Sequence, residues 1–230
     1  ASQAKENYPK DAGGILAVDT DAPLGFHYWR VSTSQGITPV MKFMVGDLPE
    51  IVEHEIDGNP IPVDVQVPLT INGRIFPRED VDVWQFQAVV GQSYTCEVMS
   101  ARLGLPLDSR LEIRGPDGLQ IAENVDCFGN DSCIRFVANQ SGVYQVRIHD
   151  IKFGGLQNYV YRLTITDQIL IDRAFPLGGQ AGTTIKPELL GQNIPAETIS
   201  ITLPEYLSGD GILNTTIGSY CHPFVFQHYQ

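Results

Sequence analysis

Through the middle of the chain, hydrophobic and polar residues alternate with a period of two. Along Val143–His149, Tyr144, Val146 and Ile148 share one face while Gln145, Arg147 and His149 share the other. Along Asn158–Ile165, Tyr159, Tyr161, Leu163 and Ile165 fall together. The runs Leu69–Ile75, Val81–Phe86 and Leu111–Ile113 follow the same rule. This period predicts half-buried β-strands, because successive side chains of a strand point to opposite faces. It places Trp84 beside Phe86 in a core. It also places Cys96 on one face with Tyr94 and Val98, as a buried free thiol. Turn-forming residues separate the runs: Val90-Gly-Gln92, Gly115-Pro-Asp-Gly118, Gln140-Ser-Gly142 and Gly154-Gly155. No stretch of 11 or more residues keeps a helical period, and Ser100–Leu105 can form one helical turn at most. Short strands punctuated this way predict an all-β, antiparallel sandwich or barrel.

The alternation fails in residues 48–65. Leu48–Val65 carries three prolines and five acidic residues, the signature of a linker. A second change falls near residues 167–173, before Phe175-Pro-Leu-Gly-Gly-Gln-Ala-Gly182. The expected organisation is a β segment over 1–47, a linker over 48–65, a β-sandwich over 66–168 and a further β segment over 169–230. The first segment offers strands at Ile15–Val18, Phe26–Val31 and Met41–Val45, too few to bury both faces of a sheet. Each flank therefore reads as part of a domain.

Composition narrows the class. At 43% hydrophobic residues there is enough apolar material for a packed core, which excludes wholesale disorder. The 22 glycines and 15 prolines follow no three-residue period, which excludes collagen. No run of 18 apolar residues exists to span a membrane, and the start is not of the basic-then-apolar signal type. The formal charge of −12 would repel phosphate backbones and anionic lipid over most of the surface, so nucleic acid is not an expected partner. The same excess of carboxylates suits divalent cations, calcium above all.

Four cysteines are present, Cys96, Cys127, Cys133 and Cys221, with no Cys-x-x-Cys spacing. That disfavours a zinc ribbon, a thioredoxin-like site and covalent haem. Cys127 and Cys133 bracket a short polar loop and read as a local disulfide, worth about 2–3 kcal/mol in the chain-entropy model. A disulfide implies an oxidising compartment. Four cysteines allow three pairings, and the sequence does not choose among them.

Three segments resemble the opening of bacterial pre-peptidase C-terminal (PPC) domains: Pro68–Ile75, Glu79–Phe86 and Val90–Gln92. Leu107–Ile113, Gly115–Gly118, Ala122–Asp126, Ser141–Val146 and Asn158–Ile165 continue the likeness in order, over about 100 residues. The resemblance implies a jelly-roll-like β-sandwich, in agreement with the periodicity. The flanks resemble immunoglobulin-like IPT/TIG modules, in Asp21–Val45 and in Ile171–Leu203. That order of modules is similar to large exported multidomain proteins of planctomycete-type bacteria.

Some proteins of the PPC family bind calcium through an acidic linker and an acidic turn. The resemblance carries these onto Glu53, Glu55 and Asp57 in the linker and onto Glu79, Asp80 and Asp82 in the turn. Gly58 and Ile56 depart from the family's linker pattern, which there carries a carboxylate and a proline. Calcium takes six to eight oxygen ligands, which two such segments with backbone carbonyls can supply.

Catalytic patterns are missing: there is no Gly-x-Ser-x-Gly elbow and no His-Glu-x-x-His. His149 and Asp150, adjacent on a strand end, point to opposite faces and would not orient one another. Tyr28, Trp29 and Phe128 are candidate ligand-binding aromatics. The expected function is that of a non-catalytic module of a larger exported protein, secreted, periplasmic or at the cell surface. It would serve spacing, adhesion or targeting to a substrate, with other domains of the same protein and an extracellular polysaccharide or protein polymer as partners. The alternatives are a carbohydrate- or protein-binding module with a defined ligand, and an ancillary domain of a secreted protease or other hydrolase.

Overall fold

The structure, a computed structural model, describes residues 15–54, 60–194, 196, 200–205, 213–217 and 220–224. It divides into two compact units, residues 1–47 and 48–230.

In the first unit, β1 (Gly25–Trp29), β2 (Ser32–Thr33), β3 (Gly36–Ile37) and β4 (Met41–Val45) make two antiparallel pairs, β1 with β4 and β2 with β3. Ile15–Val18, expected as a strand, is not one. Ile15 is fully exposed, Leu16 and Val18 are about half exposed, and among the described residues no strand pairs with this run.

The second unit opens with β5 (Glu50–Val52), β6 (Val63–Asp64), β7 (Leu69–Arg74) and β8 (Asp82–Ala88). β9 (Ser93–Met99), a single 3-10 turn over Ala101–Leu103, β10 (Ser109–Arg114) and β11 (Gln120–Asn124) follow. β12 (Cys133–Val137), β13 (Gly142–Asp150) and β14 (Val160–Thr166) complete a sandwich. One sheet has the order β11-β10-β13-β8-β6 and the other β12-β9-β14-β7-β5. From β7 to β10 and from β11 to β14 the chain changes sheet at every step, so each face is assembled from strands distant in sequence.

The alternation read from the sequence is the inside–outside alternation of this sandwich. Tyr144, Val146 and Ile148 are fully buried, as are Leu163 and Ile165, and Trp84, Phe86, Tyr94, Cys96 and Val98 join them in one core. Each buried aliphatic or aromatic side chain contributes roughly 1.5–3 kcal/mol. The glycine-containing turns fall between strands as expected. Gly91 and Gly118 hold φ of +81° and +77°, a conformation that suits glycine.

Residues 48–65, expected as a linker, supply the outermost strand of both sheets. β5 lies parallel to β7 and β6 parallel to β8. Alternation is weak there because an edge strand two or three residues long buries little. β5 is instead held by polar contacts: Arg162 donates to both carboxylate oxygens of Glu50, at 2.9 Å and 2.6 Å, and Asn72 donates to one of them at 2.9 Å.

Beyond the sandwich, β15 (Leu170–Phe175), β16 (Thr184–Ile185), β17 (Glu188–Gln192) and β18 (Ile201–Thr202) form two antiparallel pairs, β15 with β17 and β16 with β18. β19 (Leu213–Ile217) pairs with β20 (Tyr220–Phe224). Polar side chains fasten this segment to the sandwich. Asn193 donates to the carbonyls of Asp167 (2.7 Å) and Ser93 (3.1 Å), Thr95 donates to Gln192 (2.7 Å), and Arg135 meets Asp172 at 2.6 Å.

Candidate functional site

The acidic residues of the leading segment and of the turn before β8 converge. Glu53 continues the line of β5, its N–H donating to the Asn72 carbonyl at 2.9 Å, and its carboxylate accepts the Arg74 N–H at 2.8 Å. Asp82 opens β8 on the same inward face as Trp84, so its carboxylate is carried to the rim of the core. There Tyr161 donates its hydroxyl to Asp82 Oδ2 at 2.7 Å, and Trp84 Nε1 donates to the Tyr161 oxygen at 3.1 Å. Asp80 accepts the N–H groups of Phe76 (3.0 Å) and Val81 (2.9 Å) and faces the other two carboxylates. Glu53, Asp80 and Asp82 line a cleft with His54, Pro60 and Ile61.

Burial, then the charges of Glu53 and Asp80, push the Asp82 carboxyl up to about 10. Burial also raises Glu53, whose side chain is hydrogen-bonded to Asp82. Tyr161 is raised well above the ordinary phenol range, first by burial and then by Asp82. The two carboxyl groups therefore share a proton at neutral pH, since like charges this close and this dry do not both ionise. Among the described residues, no three carboxylate, thiol or imidazole groups form a ready-made metal cage. A divalent cation would have to displace the shared proton, and the three carboxylates beside His54 offer the oxygen donors that hard cations take.

The other residues singled out from the sequence scatter. Glu79 is exposed at φ +69° and is not among the groups acting on Asp82. Glu55 and Asp57 lie outside the described residues. Tyr28 and Trp29 are 66% and 41% exposed in β1. Phe128, in the second unit, lies under the Arg102 guanidinium at 4.7 Å from the ring centroid, so one of its faces is occupied. The expected Cys127–Cys133 disulfide is not formed. Both are free thiols, hydrogen-bonded to each other, and burial pushes Cys133 up to about 12. Cys96 is a buried free thiol, as its position between Tyr94 and Val98 required. His149 Nδ1 meets the Asp150 carbonyl, while the Asp150 carboxylate accepts the N–H groups of Asp108, Lys152 and Gly154.

Two structural residues escaped the sequence reading. Asp131 is fully buried and accepts the N–H groups of Ser100, Ala101 and Arg102 and the Nε of Arg102, all within 3.0 Å. Its only sequence signal was a short polar loop that reads as turn chemistry. Gly73 sits within β7, although Asn-Gly is the usual signal of a hairpin turn. A Cβ there would collide with the Tyr161 ring and come within 2.8 Å of Glu53 Oε2. Glycine is needed because the Tyr161 hydroxyl crosses β7 at that point to reach Asp82.

No family model matches the chain, and no curated protein matches it. Among solved structures, the pre-peptidase C-terminal domain of a collagenase from Bacillus anthracis is similar at 16% identity and a TM-score of 0.40. That likeness covers 48% of this chain and 100% of that one. PliG, a periplasmic inhibitor of g-type lysozyme from Aeromonas hydrophila, is similar at 14% identity and a TM-score of 0.37, covering 51% of this chain and 97% of that one.

Proposed function

We propose that this chain is a non-catalytic β-sandwich module of an exported protein, in which a divalent cation, calcium by its chemistry, locks the leading segment onto the sandwich. The observation that carries this reading is the convergence of Glu53, Asp80 and Asp82 on one cleft where segment and sandwich meet. With a proton shared between Glu53 and Asp82, the cluster carries less charge than three carboxylates. With a dication it ionises fully and gains coordination by oxygen. Asp82 would be fixed in place by Tyr161, and Asp80 by its two backbone N–H donors. The exported setting is supported by the ordered resemblance to PPC domains across residues 68–165. The module would space or anchor other domains of its parent protein and hold them at an extracellular polymer.

Calorimetry with millimolar calcium and then with chelator tests this. The melting temperature should rise with calcium, because a ligand of the folded state alone stabilises it by mass action. In Glu53→Gln and Asp82→Asn the rise should vanish. An unchanged melting temperature in the wild type would overturn the cation lock.

A further inference from the structure

The outer face of the β11-β10-β13-β8-β6 sheet carries an arrangement that the acidic cleft does not use. Arg110, Glu112 and Arg114 project from β10, and Arg147 projects from β13 opposite Glu112. Glu112 is nearly buried, yet its contacts with these cations are long: 3.4 Å to Arg110, 3.7 Å to Arg114 and 4.0 Å to Arg147. Arg110 has a second carboxylate, Glu123 at 2.7 Å. Arg114 and Arg147 do not. Among the described residues their guanidinium groups meet no hydrogen-bond acceptor, so two forks of five N–H donors each share one distant carboxylate. Burial, and after it the charge of Arg114, work against the charge of Arg147, with Glu112 only partly offsetting them. An anion between the two forks would relieve the repulsion and take up their donors. Guanidinium is the group best shaped to grip a carboxylate with two parallel bonds.

What continues from Arg114 points to the carrier of that carboxylate. Arg114 stands directly opposite Gln145, Gln145 opposite Gln85, and Gln85 opposite Asp64. These four side chains form a straight row across the sheet, one every strand spacing of about 4.8 Å, a step comparable with one pyranose ring. Gln145 donates to Gln85 at 3.4 Å and Gln85 to Asp64 at 2.9 Å, which leaves amide oxygens and N–H groups to meet hydroxyls. An acidic peptide would offer carboxylates to the arginines but few hydroxyls to the amides. A uronic-acid polymer offers both in a regular repeat. The outward positions of β8, β10 and β13 hold no Phe, Tyr or Trp, and the one ring there, His149, is buried under Phe153 four residues along β13 from Gln145. The row from Arg114 to Gln85 therefore lacks the stacking platform that a neutral glycan would want. The net charge of −12 does not forbid the contact, since carboxylates farther than about 8 Å away are largely screened at physiological salt.

We infer that this sheet face binds a uronate-bearing polysaccharide, with Arg114 and Arg147 gripping a carboxylate and Gln145 and Gln85 reading hydroxyls along the next sugars. The inference rests on the reading of the chain as an exported module that docks on a polymer, and it deepens that reading by naming the polymer's chemistry.

Affinity electrophoresis through polygalacturonate tests it, using the full chain and a chelator so that calcium bridges play no part. The wild type should be retarded, and the Arg114→Gln/Arg147→Gln double variant should lose at least tenfold in affinity. Gln85→Ala/Gln145→Ala should lose less but measurably. Both variants are checked for unchanged melting, and the glutamine pair remains a test if the arginine pair does not fold. Starch in the gel should have no effect. No retardation by polygalacturonate would overturn the inference. Equal retardation by poly-glutamate would overturn it in favour of an acidic peptide, and retention that survives both variants would place the site elsewhere. The calcium-dependent melting shift is read separately, so the cleft can fail while this face stands, and the reverse.

Discussion

Asp82 shows how one residue's placement sets a pH response. Its carboxyl titrates near 10 in the folded chain, against the ordinary carboxylate range when unfolded, and Glu53 shifts the same way. Below the ordinary range both states hold the proton, so nothing is lost. Above it the unfolded chain releases a proton that the folded chain keeps. Stability therefore falls steadily as pH rises through the window up to about 10. In chelator, the wild-type melting temperature should drop between about pH 5 and about pH 9, and Asp82→Asn should flatten that slope. Asparagine keeps an acceptor for Tyr161 and adds a donor for Glu53 without a charge to bury. A wild-type slope no steeper than that of the variant would count against the shared proton. A bound cation should remove the slope as well, because it replaces the proton.

At the scale of single elements, the loop Cys127–Cys133 is held by a carboxylate rather than by sulfur. Asp131 pins the 3-10 turn from below, and its backbone also receives the N–H groups of Cys127 and Phe128. Removing it strands three amides and an arginine donor. Asp131→Ala should cost about 3 kcal/mol in urea unfolding, whereas Cys127→Ser should cost far less. Comparable losses would mean that the thiol contact matters as much as the carboxylate. The strands β7, β8, β9, β13 and β14 were legible because period two is a local signal written in each run. Glu53, Asp80 and Asp82 became candidates through the resemblance, and alternation says nothing about their meeting. That meeting depends on parallel pairing of β5 with β7, between residues some twenty apart, with almost no hydrophobic trace. The disulfide was read from spacing alone, and spacing does not distinguish two cysteines that bond from two that merely touch. Asp131 was invisible because a buried acid in a turn looks like any exposed one.

For the whole molecule, the order of strands matters more than their number. The last strand of the sandwich, β14, is the central strand of its sheet, flanked by β9 and β7. A chain ending near residue 158 would keep most of the hydrophobic residues, yet it would leave Tyr161, Leu163 and Ile165 out of the core and β7 and β9 unpaired with each other. Such a truncation should show no cooperative thermal transition, while one ending near residue 194 should retain it. Folded behaviour in the shorter chain would show that the other sheet is sufficient.

That topology also bears on the timing of folding. Thr70 finds Thr164 94 positions further along the chain, and Asp82 waits for Tyr161 79 positions on. A polypeptide emerging from the ribosome cannot close this sandwich from its leading end. It stays open until the fourteenth strand has arrived, and then both sheets can close together. A sandwich built this way stays unclosed for nearly the whole of residues 48–166 and commits to its fold only once its last strand is present.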